Sequence, residues 1–275
     1  MFWKTADQVI QEEVESVRPR KVILDQLEGG TKTGKELRDA IQTDMFAQAL
    51  REGMEGMAPS DFTVTDPKLY FNTKYLEEAG IITSRKDSRE RQFGLTPWAI
   101  QPVRRALGVK RPILLLTSMS HPEDQRPFVS WISYQTEFDI VRLRILVADG
   151  TFRRGASRNL TRHVPAEIDE KGDSDSSYRR TYLEKLLDNP WEDLPLETVG
   201  DFDTSIPGDL MATYGKIEAI IQNNLPEYEV VVDLSTGPPL IPTALTLVAM
   251  NYSLTAIFIR HQGGASTVTR VLPRE

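Results

Sequence analysis

The sequence predicts an α/β protein built from two units, a mainly helical unit in residues 1–108 and a doubly wound parallel sheet in residues 109–275. In the first unit, a series of segments with helical spacing precedes two short strands around a charged tip. In the second unit, runs rich in β-branched residues and leucine alternate with helical segments. That alternation is typical of a parallel sheet covered by helices.

The most strongly patterned element is a β-α-β unit in residues 228–260. Glu229–Asp233 is β-branched at successive positions, which suits a strand buried on both faces. Residues 235–239 have turn chemistry, and the apolar run Leu240–Tyr252 is too long for a strand, so it predicts a helix that is apolar nearly all round and buried. A second β-branched strand begins at Thr255. The turn therefore falls at the carboxyl edge of the sheet, where ligands of open α/β folds bind.

Composition and charge exclude several classes of protein. The chain has no cysteine, so it has neither disulfides nor a thiolate metal site. It has no apolar run of membrane-spanning length and no signal-peptide pattern, which predicts a cytoplasmic protein with no membrane partner. Residues 1–110 carry 17 Lys+Arg and 17 Asp+Glu, so the net charge of −7 belongs to the rest. A neutral first unit with local basic patches is compatible with a polyanionic partner.

The first unit contains a near match to a phosphate-binding loop. Residues 29–35 are Gly-Gly-Thr-Lys-Thr-Gly-Lys, but Glu36 stands where the motif needs Ser or Thr to hold magnesium. Thr33 and Glu36 instead predict a capping box that begins a helix running through Ile41. This segment is therefore not expected to bind ATP. A separate amphipathic helix is predicted at 44–57, after a first helix around residues 22–27.

The helix that begins at Asp66 and the hairpin after it predict a DNA-binding surface. The helix begins with Asp66 as its cap and Pro67 in its first turn, and it stops at Gly80. Strands at 81–84 and 91–95 then flank a polar tip. The segment from residue 81 to residue 105 contains two acidic residues, Asp87 and Glu90, and six basic residues: Arg85, Lys86, Arg89, Arg91, Arg104 and Arg105. Such a wing neutralises phosphates beside a helix in the major groove. The alternative is a solvated hairpin in a protein-binding winged helix.

Residues 75–82, the arginine-rich hairpin and Leu95-Thr96-Pro97 resemble the recognition helix and wing of winged helix-turn-helix DNA-binding regulators. The resemblance covers roughly residues 18–106, with a longer connection than usual between the second and third helices. It implies duplex DNA as a partner. The predicted DNA-binding residues are Lys68, Tyr70, Asn72, Thr73, Lys74, Arg85, Lys86, Arg89 and Arg91.

The rest of the second unit completes the alternation of strands and helices. A small polar turn, Thr117-Ser118-Met119, follows the first strand, and a basic loop with Arg153, Arg154, Arg158 and Arg162 follows the second. Residues 165–177 are acidic and rich in Ser and Gly, which is typical of a mobile segment. The other predicted elements are strands at 111–116, 140–147 and 196–199 and helices at 128–134, 178–187 and 211–221.

This half, about residues 110–262, resembles the CARF (CRISPR-associated Rossmann fold) domain. The residues that carry the resemblance are the polar turn after the first strand and Ser235-Thr236-Gly237 before the apolar helix. The resemblance implies a Rossmann-like homodimer that binds a cyclic oligoadenylate or similar nucleotide across its two-fold axis and regulates transcription in CRISPR antiviral defence. The predicted ligand-binding residues are Thr117, Ser118, Met119, Arg153, Arg154, Ser235, Thr236 and Gly237.

Two features differ from the family pattern. The family turn commonly continues Gly-Gly-Thr-Lys, whereas here Gly237 is followed by Pro238 and Pro239, and the DNA-binding unit precedes the CARF-like unit instead of following it. With Pro242, the prolines remove three N–H groups from the helix start, where anions bind. The alternative is that Gly-Pro-Pro is only a rigid turn. Fewer phosphate contacts are expected than in proteins with Gly-Gly-Thr-Lys.

An enzyme is not expected. His121, His163 and His261 lack metal-ligand spacing, and the chain has neither a dinucleotide fingerprint nor a nucleophile elbow. Asp201 and Asp203 are interpreted as solvated loop residues. We therefore predict no catalytic residue, no metal and no cofactor. The alternatives left open are a ring nuclease that cleaves cyclic oligoadenylate and a regulator whose Rossmann-like unit only dimerises.

Overall fold

The computed structural model describes residues 4–54, 56–87, 90–118, 131, 137–148, 199–206, 209–235, 237–262 and 265–273. The chain divides into two compact units, Met1–Lys110 and Arg111–Glu275. Among the described residues, no helix combines the length and apolarity needed to cross a membrane.

The described part of the first unit consists of helices and a small antiparallel sheet. The strand order is β1-β3-β2, so the short β1 extends the hairpin of β2 and β3. In chain order the elements are α1 (Ala6–Ser16), α2 (Arg18–Glu28), β1 (Lys32–Thr33), α3 (Gly34–Arg51), α4 (Asp66–Glu78), β2 (Ile82–Asp87), β3 (Glu90–Leu95) and α5 (Ile100–Leu107).

Local capping explains where the helices of the first unit begin and end. The capping box predicted for Thr33 and Glu36 is present: the Thr33 hydroxyl accepts from the Glu36 amide, and the Glu36 carboxylate accepts from the Thr33 amide at 2.7 Å. Two predicted helices prove to be one, α3, because no Gly or Pro separates residues 41 and 44. Thr65, one residue before the predicted Asp66, caps α4, and Gly80 follows that helix at φ +72°.

Arg104 and Arg105 belong to the scaffold of this unit and not to a basic wing as predicted. The Arg104 Nε lies 2.8 Å from the Glu28 carboxylate, and both side chains are buried. Arg105 binds Asp7 in α1 through two nitrogens, at 2.6 and 3.1 Å. Both arginines lie in the last turn of α5 and tie it to α1 and α2, so their charges are neutralised locally.

The second unit contains a six-stranded sheet of order β6-β5-β4-β7-β8-β9. All pairs are parallel except β8 with β9, an arrangement consistent with a Rossmann-like fold. Its elements are β4 (Ile113–Ser118), β5 (Ile140–Ala148), β6 (Val199–Ile206), α6 (Leu210–Asn224), β7 (Glu229–Asp233), α7 (Leu240–Tyr252), β8 (Thr255–Gln262) and β9 (Ala265–Leu272).

The predicted β-α-β unit is present as β7, α7 and β8, but its helix is not buried all round. Ile241, Leu245 and Val248 face the core, while Leu247 and Met250 are exposed. One side of α7 therefore packs on the sheet and the other stays open, as for a helix on a sheet face.

Other predictions in this unit need correction. A strand runs over Val199–Ile206, and of the strand predicted at 196–199 only Val199 lies within the described residues. Asp201 and Asp203 belong to this strand, paired with Arg144 and Leu146 of β5, and not to a loop. The edge strand β9 was not predicted. The helices predicted at 178–187 and, apart from Trp131, at 128–134 lie outside the described residues.

Candidate functional site

The carboxyl ends of β4 and β7 lie side by side at the centre of the sheet. These strands pair in parallel, with Leu116 opposite Val232, so their last residues, Ser118 and Asp233, lie at the same edge. The chain winds from β4 to β5 on one side and from β7 to β8 on the other. Such a reversal of strand order is where open α/β sheets form a crevice for ligands.

A buried carboxylate connects the two strand ends. The Asp233 side chain is fully buried. It accepts a hydrogen bond from the Thr117 hydroxyl at 2.8 Å and one from the Ser235 amide at 2.9 Å. The Ser235 hydroxyl is a third donor. Burial raises the pKa of Asp233, and the hydrogen bonds from Ser235 and Thr117 oppose that shift only in part.

Ser235 extends this network to the next strand. Its hydroxyl donates to Asp233 and accepts from the Ile259 amide of β8 at 2.5 Å. The network therefore joins β4, the turn after β7, and β8 through side-chain hydrogen bonds. The Thr117 hydroxyl, which is fully buried, and the Ser235 hydroxyl both hold the strand ends together.

Gly237 packs directly against Ser118. It has φ +105°, a left-handed conformation that side chains rarely adopt. A Cβ on this residue would lie 2.0 Å from the Ser118 Oγ and 2.7 Å from the Ser118 Cβ. Ser118 is itself fully buried. Glycine is therefore required here both by the backbone and by the close approach of the two turns.

The start of α7 has few amides available for an anion. Pro238, Pro239 and Pro242 carry no N–H group. The amide of Ile241 donates to the Pro238 carbonyl at 2.9 Å, and that of Thr243 donates to the Pro239 carbonyl at 3.1 Å. The usual source of anion affinity at a helix start is thus largely absent from this turn.

The structure places four of the predicted ligand residues together at this edge: Thr117, Ser118, Ser235 and Gly237. Sequence reasoning did not include Asp233 among the site residues, although an acid that ends a run of three valines was a usable signal. The other four predicted ligand residues lie outside the described residues; they are Met119, Arg153, Arg154 and Thr236.

In the first unit, α4 presents only part of its predicted polar surface. Tyr70 and Lys74 are exposed, while Lys68 is half-buried with its Nζ 3.3 Å from the Met45 sulfur. The Asn72 amide donates to the Lys68 carbonyl at 2.7 Å. Thr73 was predicted to be an exposed donor, but it is buried and donates to carbonyls of its own helix. The helical spacing places it on the same face as buried Leu69 and Leu76, which sequence reasoning overlooked.

The hairpin carries a smaller set of available cations than predicted. Arg85 and Lys86 are exposed on β2, and neither forms an ion pair with any residue that the structure describes. Arg91 binds the Glu77 carboxylate of α4 at 2.9 and 3.0 Å, so its charge is largely compensated. Arg89 lies outside the described residues.

No metal site is found among the described residues: no three His, Cys, Asp or Glu side chains there are grouped to hold an ion. His261 lies on β8, while His121 and His163 are outside the described part of the chain.

Comparison with known proteins gives little further guidance. No protein-family model matches the chain, and no curated protein matches it. A solved structure with some similarity is that of Enterococcus italicus Csm6 bound to cyclic hexa-2'-fluoro-hexa-dAMP, at 10% sequence identity and a TM-score of 0.35. The match covers 55% of this chain and 34% of that chain, so this chain spans about a third of the length of Csm6. Similarity at this level says nothing about a shared ligand.

Proposed function

We propose that this protein is a ligand-responsive, DNA-binding transcriptional regulator of CRISPR-type antiviral defence, with an N-terminal winged helix-turn-helix and a C-terminal CARF-like sensor. The observation that carries the sensor is the close approach of the end of β4, at Ser118, to the turn after β7, at Gly237, where the strand order reverses.

The order of elements in the first unit supports the DNA-binding part of the proposal. A helix, a short strand, two helices and a hairpin follow one another, and the short strand pairs with the second strand of the hairpin. In a winged helix-turn-helix with this order, α4 is the recognition helix and β2-β3 is the wing. Arg85 and Lys86 would then contact phosphates beside the groove.

The ligand that fits the sensor best is an anionic nucleotide of the cyclic oligoadenylate type. The sheet edge supplies small polar turns, while the prolines at the start of α7 limit the number of amides that reach a phosphate. We therefore expect contacts to bases and sugars to contribute more than contacts to phosphates. The sensor acts as part of a homodimer, since a winged helix that binds a palindrome needs a two-fold partner. The protein is not an enzyme in this proposal.

A mobility-shift titration of duplex DNA at several salt concentrations tests the DNA-binding part. Arg85→Ala with Lys86→Ala should lower affinity to a similar degree on all sequences and reduce the slope of log affinity against log salt by about 2, one for each lost phosphate contact. Lys21→Ala with Arg51→Ala removes the same charge from exposed positions on α2 and α3 and serves as the control. Equal losses of affinity from the two pairs of substitutions would contradict a role of the wing in DNA binding.

Calorimetric titration with cyclic tetra-adenylate, and with a linear oligoadenylate as control, tests the sensor. Binding of the cyclic compound, together with a change in DNA affinity, is the expected result, because a ligand shifts a regulator only if it binds its two states differently. No heat at about 100 µM ligand, a concentration at which binding stronger than about −5.5 kcal/mol is detected, would leave a regulator whose second unit only dimerises.

A further inference from the structure

The exposed face of α4 is unusually aromatic. Phe71 is 67% exposed, Tyr70 49% and Tyr75 47%. The rings of Tyr70 and Phe71 meet edge to face, with their centroids 5.7 Å apart. These residues point away from the core face that Leu69 and Leu76 form, so their exposure is not explained by packing within the unit.

The polar side chains of α4 are poorly placed to read base edges by hydrogen bonding. Asn72, the side-chain type that recognises adenine, is half-buried, and one N–H of its amide already donates to the Lys68 carbonyl at 2.7 Å. Thr73 is buried. Lys74 remains exposed, with its Nζ 5.8 Å from the Tyr70 ring centroid and 3.7 Å from Glu78. Sequence readout through α4 therefore has to rely mainly on its rings.

Cations border these rings, which distinguishes this surface from an ordinary apolar protein interface. Arg20 lies 3.7 Å from the centroid of the Tyr75 ring, but its side chain is largely buried and pairs with Glu13 at 2.6 Å, so it holds Tyr75 in place and its charge is compensated. α4 packs against β2, which carries the exposed Arg85 and Lys86. A partner that presents apolar groups beside a row of negative charge matches this arrangement, and the major groove of duplex DNA, with the phosphate backbone at its border, has that character.

The apolar group that base pairs present in the major groove is the C5-methyl group of thymine. We infer that Phe71, supported by Tyr70, is a specificity-determining residue that selects thymine-containing base pairs through contact with this methyl group. The inference rests on the proposed DNA-binding function. It adds to that function the group on DNA that is recognised, the thymine methyl group, and the side chain that recognises it, Phe71.

Alternating duplexes test this without knowledge of the natural operator. An A·T duplex and an A·U duplex differ only in the C5-methyl groups, and a G·C duplex made with 5-methylcytosine adds the same group to a pair that lacks it. Affinity of the full-length protein is measured by fluorescence anisotropy at one salt concentration. We expect the A·T duplex to bind about fourfold more tightly per methyl group contacted, the effect of burying one such group. Methylation of cytosine should increase affinity in the same direction.

Variants separate readout from general affinity. Phe71→Ala should bind A·T and A·U duplexes equally, whereas Phe71→Leu, which keeps an apolar side chain, should retain part of the preference. Arg85→Ala with Lys86→Ala should weaken binding to both duplexes and leave their ratio unchanged. Because Phe71 is largely exposed, neither substitution there should lower the melting temperature.

Each outcome separates this inference from the function on which it rests. If no duplex binds in a salt-dependent manner, the proposed DNA-binding function and this inference both fail. If duplexes bind but A·T and A·U are equivalent in the wild type, the function stands and methyl readout is overturned. If the wild type prefers A·T and Phe71→Ala keeps that preference, the assignment to Phe71 is overturned.

Discussion

Substitution of Gly237 by alanine tests the close approach at the centre of the candidate ligand site. The new methyl group would lie 2.0 Å from the Ser118 Oγ and 2.7 Å from its Cβ, so Ser118 or the turn has to move. Overpacking of this kind costs about 1–3 kcal/mol. The left-handed conformation, φ +105°, costs a further ~1–2 kcal/mol for a residue with a Cβ. Together these effects predict a loss of about 2–5 kcal/mol.

Scanning calorimetry of the full-length protein provides the measurement. For a unit of this size, a loss of about 3 kcal/mol lowers Tm by roughly 6–12 °C. Gly215→Ala in α6 is the matched control, because it adds the same methyl group in the same unit with no atom within 4 Å. This control should stabilise the unit by about 0.5–1 kcal/mol, since alanine is the better helix former. Both substitutions should act on the unfolding transition of the second unit: Gly215→Ala should raise its Tm and Gly237→Ala should lower it.

A double substitution separates the two contributions. Ser118→Gly removes the atoms that the new methyl group would meet, so in that background Gly237→Ala should cost only the backbone contribution, about 1–2 kcal/mol. If Gly237→Ala costs less than about 0.5 kcal/mol in the wild type, or the same in both backgrounds, then the two turns do not pack as described.

Three further predictions concern groups that the fold holds internally. The pKa of Asp233 is raised above its ordinary value of 3.8, so the folded state retains the proton longer than the unfolded state does. The free energy of unfolding of the wild type should therefore exceed that of Asp233→Asn most at pH values below 3.8, and the difference should decrease as the pH rises through the pKa of Asp233 in the folded state. A difference that does not depend on pH would contradict the raised pKa. Arg104→Met should destabilise the first unit by about 3–5 kcal/mol in urea titrations, because it removes the cation that pairs with the buried Glu28 carboxylate, and the loss should shrink in the Glu28→Gln background. Thr73→Val should leave duplex affinity within twofold in mobility shifts, since the Thr73 hydroxyl is buried; a larger loss would return Thr73 to the DNA-binding surface.

The sequence predicted the β-α-β unit well because its signals are local. Three consecutive valines end at Asp233, Gly and Pro mark the turn, and the apolar run before Tyr252 has the length of a helix. The capping box of Thr33 is likewise contained within four residues. Where the signal was weak, the prediction was wrong: α3 continues through residues 42 and 43 because nothing there stops a helix.

The edge strand β9 and the hydrogen-bonding role of Asp233 were not predicted, because both depend on residues far apart in the chain. β9 (Ala265–Leu272) is an antiparallel edge strand with Ser, Thr and Arg at several positions, so it lacks the apolar run of the parallel strands. The role of Asp233 depends on Thr117, which is 116 residues away in the chain. Thr117 and Ser235 were predicted to share one ligand site, but no local pattern showed that Asp233 would accept a hydrogen bond from Thr117.

At both candidate sites, the α4 surface and the sheet edge at the ends of β4 and β7, some of the polar residues predicted to contact a partner instead hold the fold. Residues chosen for their hydrogen-bonding groups, such as Thr73 and Thr117, are buried and already bonded within the fold. A polar side chain in a motif either contacts a partner or fixes the geometry of the motif, and its identity alone does not distinguish these roles. Burial and hydrogen-bond occupancy do, because a buried group that already has its partner gains nothing from a ligand. By that criterion, contact with DNA falls to exposed residues such as Phe71, Arg85 and Lys86, while the network around Asp233 sets the shape of the edge that a ligand meets.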